Sequence, residues 1–243
     1  MSGNRTDVAI IDSHMLTRLR AVPDDRMHLW LMLVLTFTTG INDAVGYLGL
    51  DKVFTGNMTG NVVILGMALI GGSGLPVLGP ALALAGFMIG AALGGRVLRS
   101  QQRRWTVGTT VLFASVAVIM AALATALFIV GRHPDTTVMI TVTTVAATAM
   151  GMQAAAARVV AVKDVTTVVV TSTITGLAAD SIFGSGKGSG TGRRIAAVVA
   201  LVIGAAVGAL TLQLHLGVGL AVAAAGIAAV TAVGHIHDRG SEP

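Results

Sequence analysis

The chain has 243 residues, of which 54% are hydrophobic and only 11% charged, and its mean hydropathy is +0.83. A soluble domain of this size needs far more charge to cover its surface, so the composition excludes a soluble globular protein. The formal charge of +5 does not indicate nucleic-acid binding, because the basic residues lie in short clusters at the ends of apolar segments, where they set membrane topology. The absence of Cys excludes thiolate catalysis and Cys-ligated metals. The six His show no metal-ligand spacing, so we expect neither a metal nor another cofactor.

Residues 1–26 are polar and of mixed charge and predict a short cytosolic tail. Apolar runs then follow, which predict helices because in lipid each backbone polar group needs a partner within its own segment. The runs cover residues 27–48, 54–71, 76–98, 107–131, 137–158, 165–183, 194–212 and 216–235. They form one transmembrane domain, 27–235, and a C-terminal tail follows over 236–243. We expect His235 and His237 to be solvated there.

Charge indicates how many of these eight segments cross the bilayer. If segments 54–71 and 165–183 dip in and return, and the N-terminus is inside, 14 of the 16 basic residues lie on the cytoplasmic side. Only Lys52 and Arg132 then lie outside. Either eight-span arrangement places only about 7 to 9 of them on that side. The sequence therefore predicts an all-α polytopic membrane protein with about six transmembrane helices, two broken or re-entrant segments and both termini in the cytoplasm.

The composition of the two non-crossing segments supports this prediction. The first opens with FTGNMTGN and the second contains VTTVVVTSTITG. Thr, Asn and Gly favour caps, turns and local backbone hydrogen bonds over an uninterrupted helix. The loop 184–192 that follows the second segment is rich in Gly and Ser, and we expect it to be flexible. Trp30, Trp105 and Tyr47 fall at span ends, as interfacial anchors do.

The two halves of the domain, 27–131 and 137–235, resemble each other. Three features recur in the same order, with offsets of about 111, 116 and 118 residues. They are 40–44 with 151–155, 55–60 with 171–176, and Gly86, Gly90 and Gly94 with Gly204 and Gly208. Because each half has three spans, the halves enter the membrane in opposite orientations. The sequence thus predicts an inverted-topology repeat, a plan common among secondary transporters.

The run GINDAVGYLGLDKVFTGNMTGNVVILG, residues 40–66, resembles the hallmark of the YoaK-like family of bacterial inner-membrane proteins. Residues 149–180 are similar to the second conserved stretch of that family. Together the two stretches cover about a quarter of the chain. The resemblance implies a multi-pass architecture in the bacterial cytoplasmic (inner) membrane. The family is catalogued as a domain of unknown function, so no substrate is implied.

Asp43 is the main ionisable candidate, near the outer end of the first span. A carboxylate at the bilayer centre costs about 2.5–3.5 kcal/mol on insertion scales, so such residues are usually functional or paired. The alternative is an interfacial carboxylate, about one helical turn below Tyr47 and within reach of water. Asp180 lies close to the cytoplasmic loop, and we expect it to be solvated.

Polar residues of both halves complete the candidate site. In the first half they cap the short helix after Gly60 or line a polar cavity, where free N–H groups suit an anionic ligand group. The alternative is that they only satisfy the broken backbone. The substrate- or ion-binding candidates are Asn42, Asp43, Thr55, Gly56, Asn57, Thr59, Gly60 and Asn61 in the first half, and Gln153, Thr171, Ser172, Thr173, Thr175 and Gly176 in the second.

These features favour a small secondary transporter or exporter of a small solute or ion, with its site between the two broken helices. The alternative is a structural or partner-binding inner-membrane protein, with the bilayer as its surroundings and the Gly-rich helices as homo-oligomer surfaces. A third class is an intramembrane hydrolase. Ser172 is the sole serine of either motif, and no buried His or Lys is placed to activate it, so we expect no enzyme. A polar cavity joining both segments would favour transport, whereas a packed centre would favour the structural alternative.

Overall fold

The computed structural model describes residues 22–71, 74–99, 105–160, 170–181, 186 and 190–239. Within these ranges the chain forms α-helices and no strand. The helices are α1 (Asp24–Ala44, continued by a π-helical turn, Val45–Gly49), α2 (Met58–Leu69), α3 (Leu78–Val97), α4 (Val107–Val130), α5 (Thr136–Val160), α6 (Val170–Ala179), α7 (Thr191–Leu212) and α8 (Leu216–Asp238). The predictions for 1–21, for residues 165–169 of the second short segment and for most of the loop 184–192 lie outside the described residues.

Six of these helices are long and apolar enough to cross a membrane, which confirms the all-α polytopic prediction. They are α1 with its π turn, α3, α4, α5, α7 and α8, and they contain 20 to 26 residues each. In contrast, α2 has 12 residues and α6 has 10 in its described part. A spanning helix needs about 20 residues, so α2 is too short to cross, and the described part of α6 is also shorter than a span. Large apolar side chains such as Ile129 and Ile70 remain exposed on the bundle, as lipid-facing positions do.

The starts of α1 and α4 and the end of α8 meet at one end of the bundle, here called the Trp105 end. The ring of His28 stacks on Trp105 with centroids 6.5 Å apart, and His237 Nε2 lies 2.9 Å from Asp24 Oδ1. Since α1 and α4 start at the same end, the chain crosses the bundle an even number of times between them. The segment that contains α2 therefore starts and returns at the far end, and only α1 and α3 cross. An eight-span arrangement would place the start of α4 at the other end.

The same holds for the second half of the chain. A Cβ built on Gly49 would lie 2.7 Å from Leu212 and 2.8 Å from Leu216, so the π turn, the end of α7 and the start of α8 share the far end, here called the Tyr47 end. Because α4 and α5 cross in succession, α5 ends at the Trp105 end. Helix α7 starts there too, and the segment that contains α6 starts and returns at this end.

The bundle core is built on two parallel helix crossings, α1 with α7 and α3 with α5. A Cβ on Gly204 would overlap the carbonyl oxygen of Phe37, and a Cβ on Gly90 would overlap that of Thr148. Small residues at such points let two helix backbones approach closely. The glycines thus set the distance between the helices of each pair.

The two crossings use residues at matching positions. One turn further along, Gly208 meets Ile41 and Ala44, whereas Gly94 meets Met152 and Ala155. Gly204 therefore corresponds to Gly90, and the sequence alignment that paired it with Gly86 is wrong by one helical turn. The remaining contacts recur as well. The contact of α1 with α8 corresponds to that of α5 with α4, and the contact of α2 with α3 corresponds to that of α6 with α7. Helices α4 and α8 pack on each other.

Two expectations at the Trp105 end are wrong. Helix α8 continues to Asp238, and His237 is only 2% exposed because the start of α1 covers it. Trp105 is 3% exposed and packs against His28, Phe113 and Gly234, so it is a core residue and not an interfacial anchor. Trp30, at 65% exposed, remains in an anchor position.

Candidate functional site

Asp43 lies at the end of α1 and holds the loop that precedes α2. Its Oδ1 accepts hydrogen bonds from the backbone N–H of Gly56 at 2.7 Å, from that of Asn57 at 3.3 Å and from the Thr55 hydroxyl at 3.4 Å. Hydrogen bonds to a charged acceptor are about twice as strong as neutral ones. The carboxylate thus occupies the N–H groups that we expected to suit an anionic ligand.

Two asparagines fix the rest of this loop. The side-chain oxygen of Asn57 accepts from the Gly60 N–H at 3.1 Å and so caps α2. Asn61 brackets Phe54, accepting from its N–H at 2.9 Å and donating to its carbonyl oxygen at 2.7 Å. Asn61 is fully buried, and its amide replaces the backbone partners that an irregular segment lacks. Both side chains thus satisfy backbone groups of the irregular segment, and their contact with a ligand stays a prediction.

The backbone around Asp43 allows a close return of the chain. The π turn Val45–Gly49 follows Asp43 directly, and such turns are frequent at functional sites. A Cβ on Gly46 would overlap the carbonyl oxygen of Val53, and a Cβ on Gly56 would lie 3.0 Å from Thr39 and 3.5 Å from Asp43 Oδ1. The glycines therefore let the loop lie directly on α1.

A cavity of about 640 Å³ opens beside Asp43, between the two short helices. This volume is typical of a site for a small molecule. Helix α2 and the loop before it line one side, and the first described residues of α6 line another. The lining residues are Thr39, Asp43, Tyr47, Phe54, Gly56, Asn57, Thr59, Gly60, Val63, Ile64, Val170, Thr171 and Leu201.

The cavity brings together Asp43, Gly56, Asn57, Thr59, Gly60 and Thr171 from the predicted set. Sequence reasoning missed Thr39 and Tyr47, which lie four residues before and after Asp43. Side chains four apart share a helix face, so this spacing could have found them. Phe54 was also missed. It stacks on Tyr47 with ring centroids 4.7 Å apart, a contact across the loop that the sequence does not reveal.

The other predicted residues of α6 lie away from the cavity lining. Thr175 donates to the Thr171 carbonyl at 2.9 Å within the helix, and the Gly176 carbonyl accepts from Arg194 at 2.9 Å. Ser172 is exposed and Thr173 is 8% exposed, and neither lines the cavity. Asp180 is partly exposed but forms an ion pair with Arg194 at 2.7 Å, so the expectation of a simply solvated carboxylate is wrong.

Asn42 and Gln153 lie fully buried at the crossing of α1 and α5. Asn42 Nδ2 lies 3.4 Å from Met150 Sδ, and Gln153 Nε2 donates to the Thr39 hydroxyl at 3.3 Å. That hydroxyl donates to Leu35, so it can only accept from Gln153. Neither side-chain oxygen has a hydrogen-bond partner among the described residues. Since Thr39 and Met150 both lie against Gly56, the amides sit directly behind the loop.

Most of the residues that line this cavity lie within the two sequence stretches that resemble a known family. The family profile described as a protein of unknown function (DUF1275) matches residues 31–233. The chain belongs to the DUF1275 family. It is also 31% identical over 151 residues to the UPF0700 transmembrane protein YoaK of Bacillus subtilis (strain 168), an alignment that covers 62% of this chain and 65% of YoaK. The chain thus spans slightly less than two thirds of that relative. No solved structure matches it.

The six long apolar helices and the transmembrane relative support the multi-pass membrane architecture, and the family description leaves the activity open. The homo-oligomer prediction stays untested. The glycines on which it rests, Gly86, Gly90, Gly94, Gly204 and Gly208, are in contact within the chain. Among the described residues no group of three His, Asp or Glu side chains is placed to hold a metal ion.

Proposed function

We propose that the protein is a small secondary transporter that binds a solute in the cavity beside Asp43. The observation that carries the proposal is the lining of this cavity, to which both short helices contribute. Broken helices of transporters meet at such sites, and their irregular backbone is tolerated only where protein buries it or water wets it. A structural membrane protein has no need of a cavity with a carboxylate in its wall at this point.

The matched helix crossings support a mechanism of alternating access. We propose that the halves 27–131 and 137–235 are an inverted-topology repeat, since each α1 contact of the first half has a counterpart at α5 in the second. In transporters with inverted repeats, one half rocks against the other around a fixed site. The cavity lies at this boundary, because Asp43 belongs to the first half and Thr171 to the second.

The placement of charge supports a membrane orientation. We propose the bacterial inner membrane, with both termini in the cytoplasm, because 14 of the 16 basic residues then lie on the cytoplasmic side. The hydrogen bond between His237 Nε2 and Asp24 Oδ1 joins the first and last helices at the Trp105 end, in keeping with an even number of crossings. The Trp105 end would then face the cytoplasm.

Thiol labelling from either side of the membrane tests this proposal, because the chain has no Cys of its own. Single variants Thr59→Cys and Thr171→Cys are treated with a membrane-impermeant thiol reagent in right-side-out and in inverted vesicles. Alternating access predicts that both cysteines react from both sides. His133→Cys and Arg193→Cys, at exposed positions of opposite ends, are controls that react from one side each. Cavity cysteines that react from one side only, or from neither, would overturn the transporter proposal.

A further inference from the structure

We propose that the solute is a small organic cation, whose charged group lies between Asp43 and the ring of Tyr47. This inference rests on the proposed function, because it assigns a chemical class to the solute of the same cavity. Three features of the lining carry it: its charge, the hydrogen bonds already made by its polar groups, and its aromatic wall.

The described part of the lining carries one charged side chain. Asp43 is the carboxylate, and none of the described residues that line the cavity is Lys, Arg or His. A single negative charge in a partly enclosed, largely apolar cavity attracts cations and repels anions more strongly than it would in open water. The net charge of the site therefore favours a positively charged solute.

The hydrogen bonds of the loop before α2 also favour a positively charged solute. An anion would need free N–H groups at the start of α2, but Asp43 Oδ1 occupies those of Gly56 and Asn57, and the Asn57 side chain occupies that of Gly60. The Thr55 hydroxyl donates to the same Oδ1. The polar group that Asp43 offers beside the cavity is thus a carboxylate oxygen, which suits an ammonium group.

Tyr47 supplies the second contact. It lies four residues after Asp43, one of its ring faces stacks on Phe54 at an angle of 15°, and the residue is 37% exposed. A cation over the face of an aromatic ring is attracted by the ring's electrons, and quaternary ammonium groups are recognised in this way. The apolar side chains of Val63, Ile64 and Leu201 offer a surface for the alkyl part of such a solute.

Charge-selective thiol modification tests the inference without knowledge of the natural solute. The single variant Thr171→Cys is treated with two ethyl methanethiosulfonates, of which one carries a trimethylammonium group and the other a sulfonate group. The rate of each reagent with the variant is divided by its rate with free 2-mercaptoethanol. The ratio of the two normalised rates, cationic over anionic, is then compared between variants. We expect the cationic reagent to react at least about fivefold faster, from one unit charge acting through a partly aqueous path. Addition of Asp43→Asn should bring the ratio to about one. Arg193→Cys is the control, and Asp43→Asn should leave its ratio unchanged.

The outcomes separate this inference from the function on which it rests. If neither reagent reacts with Thr171→Cys, water does not fill the cavity, and the transporter proposal fails together with the cation. If both reagents react with a ratio near one, or if the anionic reagent is faster, the solute is not a cation. The water-filled cavity of the transporter proposal is then retained. A ratio that Asp43→Asn does not change also overturns the role of Asp43.

A binding measurement with matched probes gives a second test. Choline, its neutral carbon isostere 3,3-dimethyl-1-butanol and the anion 3,3-dimethylbutanoate are titrated calorimetrically into the purified full chain. We expect choline to bind most tightly, and to bind at least about threefold more weakly to Tyr47→Leu, which removes the ring and leaves the loop hydrogen bonds of Asp43 in place. Equal binding of the three probes, no binding of choline, or an unchanged affinity in Tyr47→Leu would overturn the inference.

Discussion

Asp43 Oδ1 accepts a 2.7 Å hydrogen bond from the Gly56 N–H, which ties the end of the first spanning helix to the loop that begins α2. The same oxygen also accepts from Asn57 and Thr55. One carboxylate thus has two consequences. It stabilises the irregular loop before α2, and it gives the cavity its negative charge.

Asp43→Ala should lower the free energy of unfolding by about 2–4 kcal/mol, because the Gly56 and Asn57 N–H groups lose a charged acceptor. Unfolding by SDS in mixed micelles would measure the change. Asp51→Asn, in the same loop, is the control. Partial burial raises the pKa of Asp51, so its charged form is disfavoured in the fold, and the neutral variant should be equally or slightly more stable at pH 7. Equal loss in both variants would contradict a specific role of Asp43.

Gly90→Ala and Gly204→Ala should each destabilise the fold by about 2 kcal/mol or more, because the new methyl group would overlap a partner carbonyl oxygen. The two losses should be similar, since the two crossings match. Gly95→Ala, where a Cβ meets nothing within 4 Å, should be neutral or stabilising. Thermal unfolding in detergent compares the three variants. A loss at one crossing only would show that the crossings are not equivalent.

Asn61→Ala should open the loop before α2, because Phe54 loses the partners of both its N–H and its carbonyl group. A cysteine placed at Val53, which is fully buried, reports on this opening. We expect Val53→Cys to resist a thiol reagent alone and to react at least tenfold faster together with Asn61→Ala. Equal rates would mean that the Asn61 bracket does not hold the loop.

Much of the fold could be predicted from the sequence because its signals are local. Apolar runs and flanking charges indicated six spans, and Asp43, Asn57 and Thr59 lie within 17 residues of one another along the chain. Sequence does not predict the rotation of a short helix about its axis. The predicted site therefore includes Thr173 and Thr175 although, of these three threonines, Thr171 alone lines the cavity. The buried His237 depends on contacts between distant chain segments, which composition does not encode.

Gln153→Leu should change the free energy of unfolding by less than about 1 kcal/mol, since the variant loses one hydrogen bond but also an unpartnered buried oxygen. It should nevertheless slow the modification of Thr171→Cys from one side of the membrane. Unpartnered buried acceptors at a helix crossing fit a site that repacks in a second conformation. Ala156→Gly, on the same helix, is a packing control for the labelling rate. A large loss of stability with unchanged labelling would assign Gln153 a purely structural role.

In the proposed mechanism the two short helices face one common cavity, and cross-linking between them tests this arrangement. The double variant Thr59→Cys and Thr171→Cys is treated with a bifunctional thiol reagent whose reactive ends are about 10 Å apart, a span that matches a small-molecule cavity. Mass spectrometry then detects the product. The structure predicts one intramolecular cross-link per chain and none for Thr59→Cys paired with Arg193→Cys. Two separate modifications of Thr59→Cys and Thr171→Cys, without a cross-link, would contradict the shared cavity.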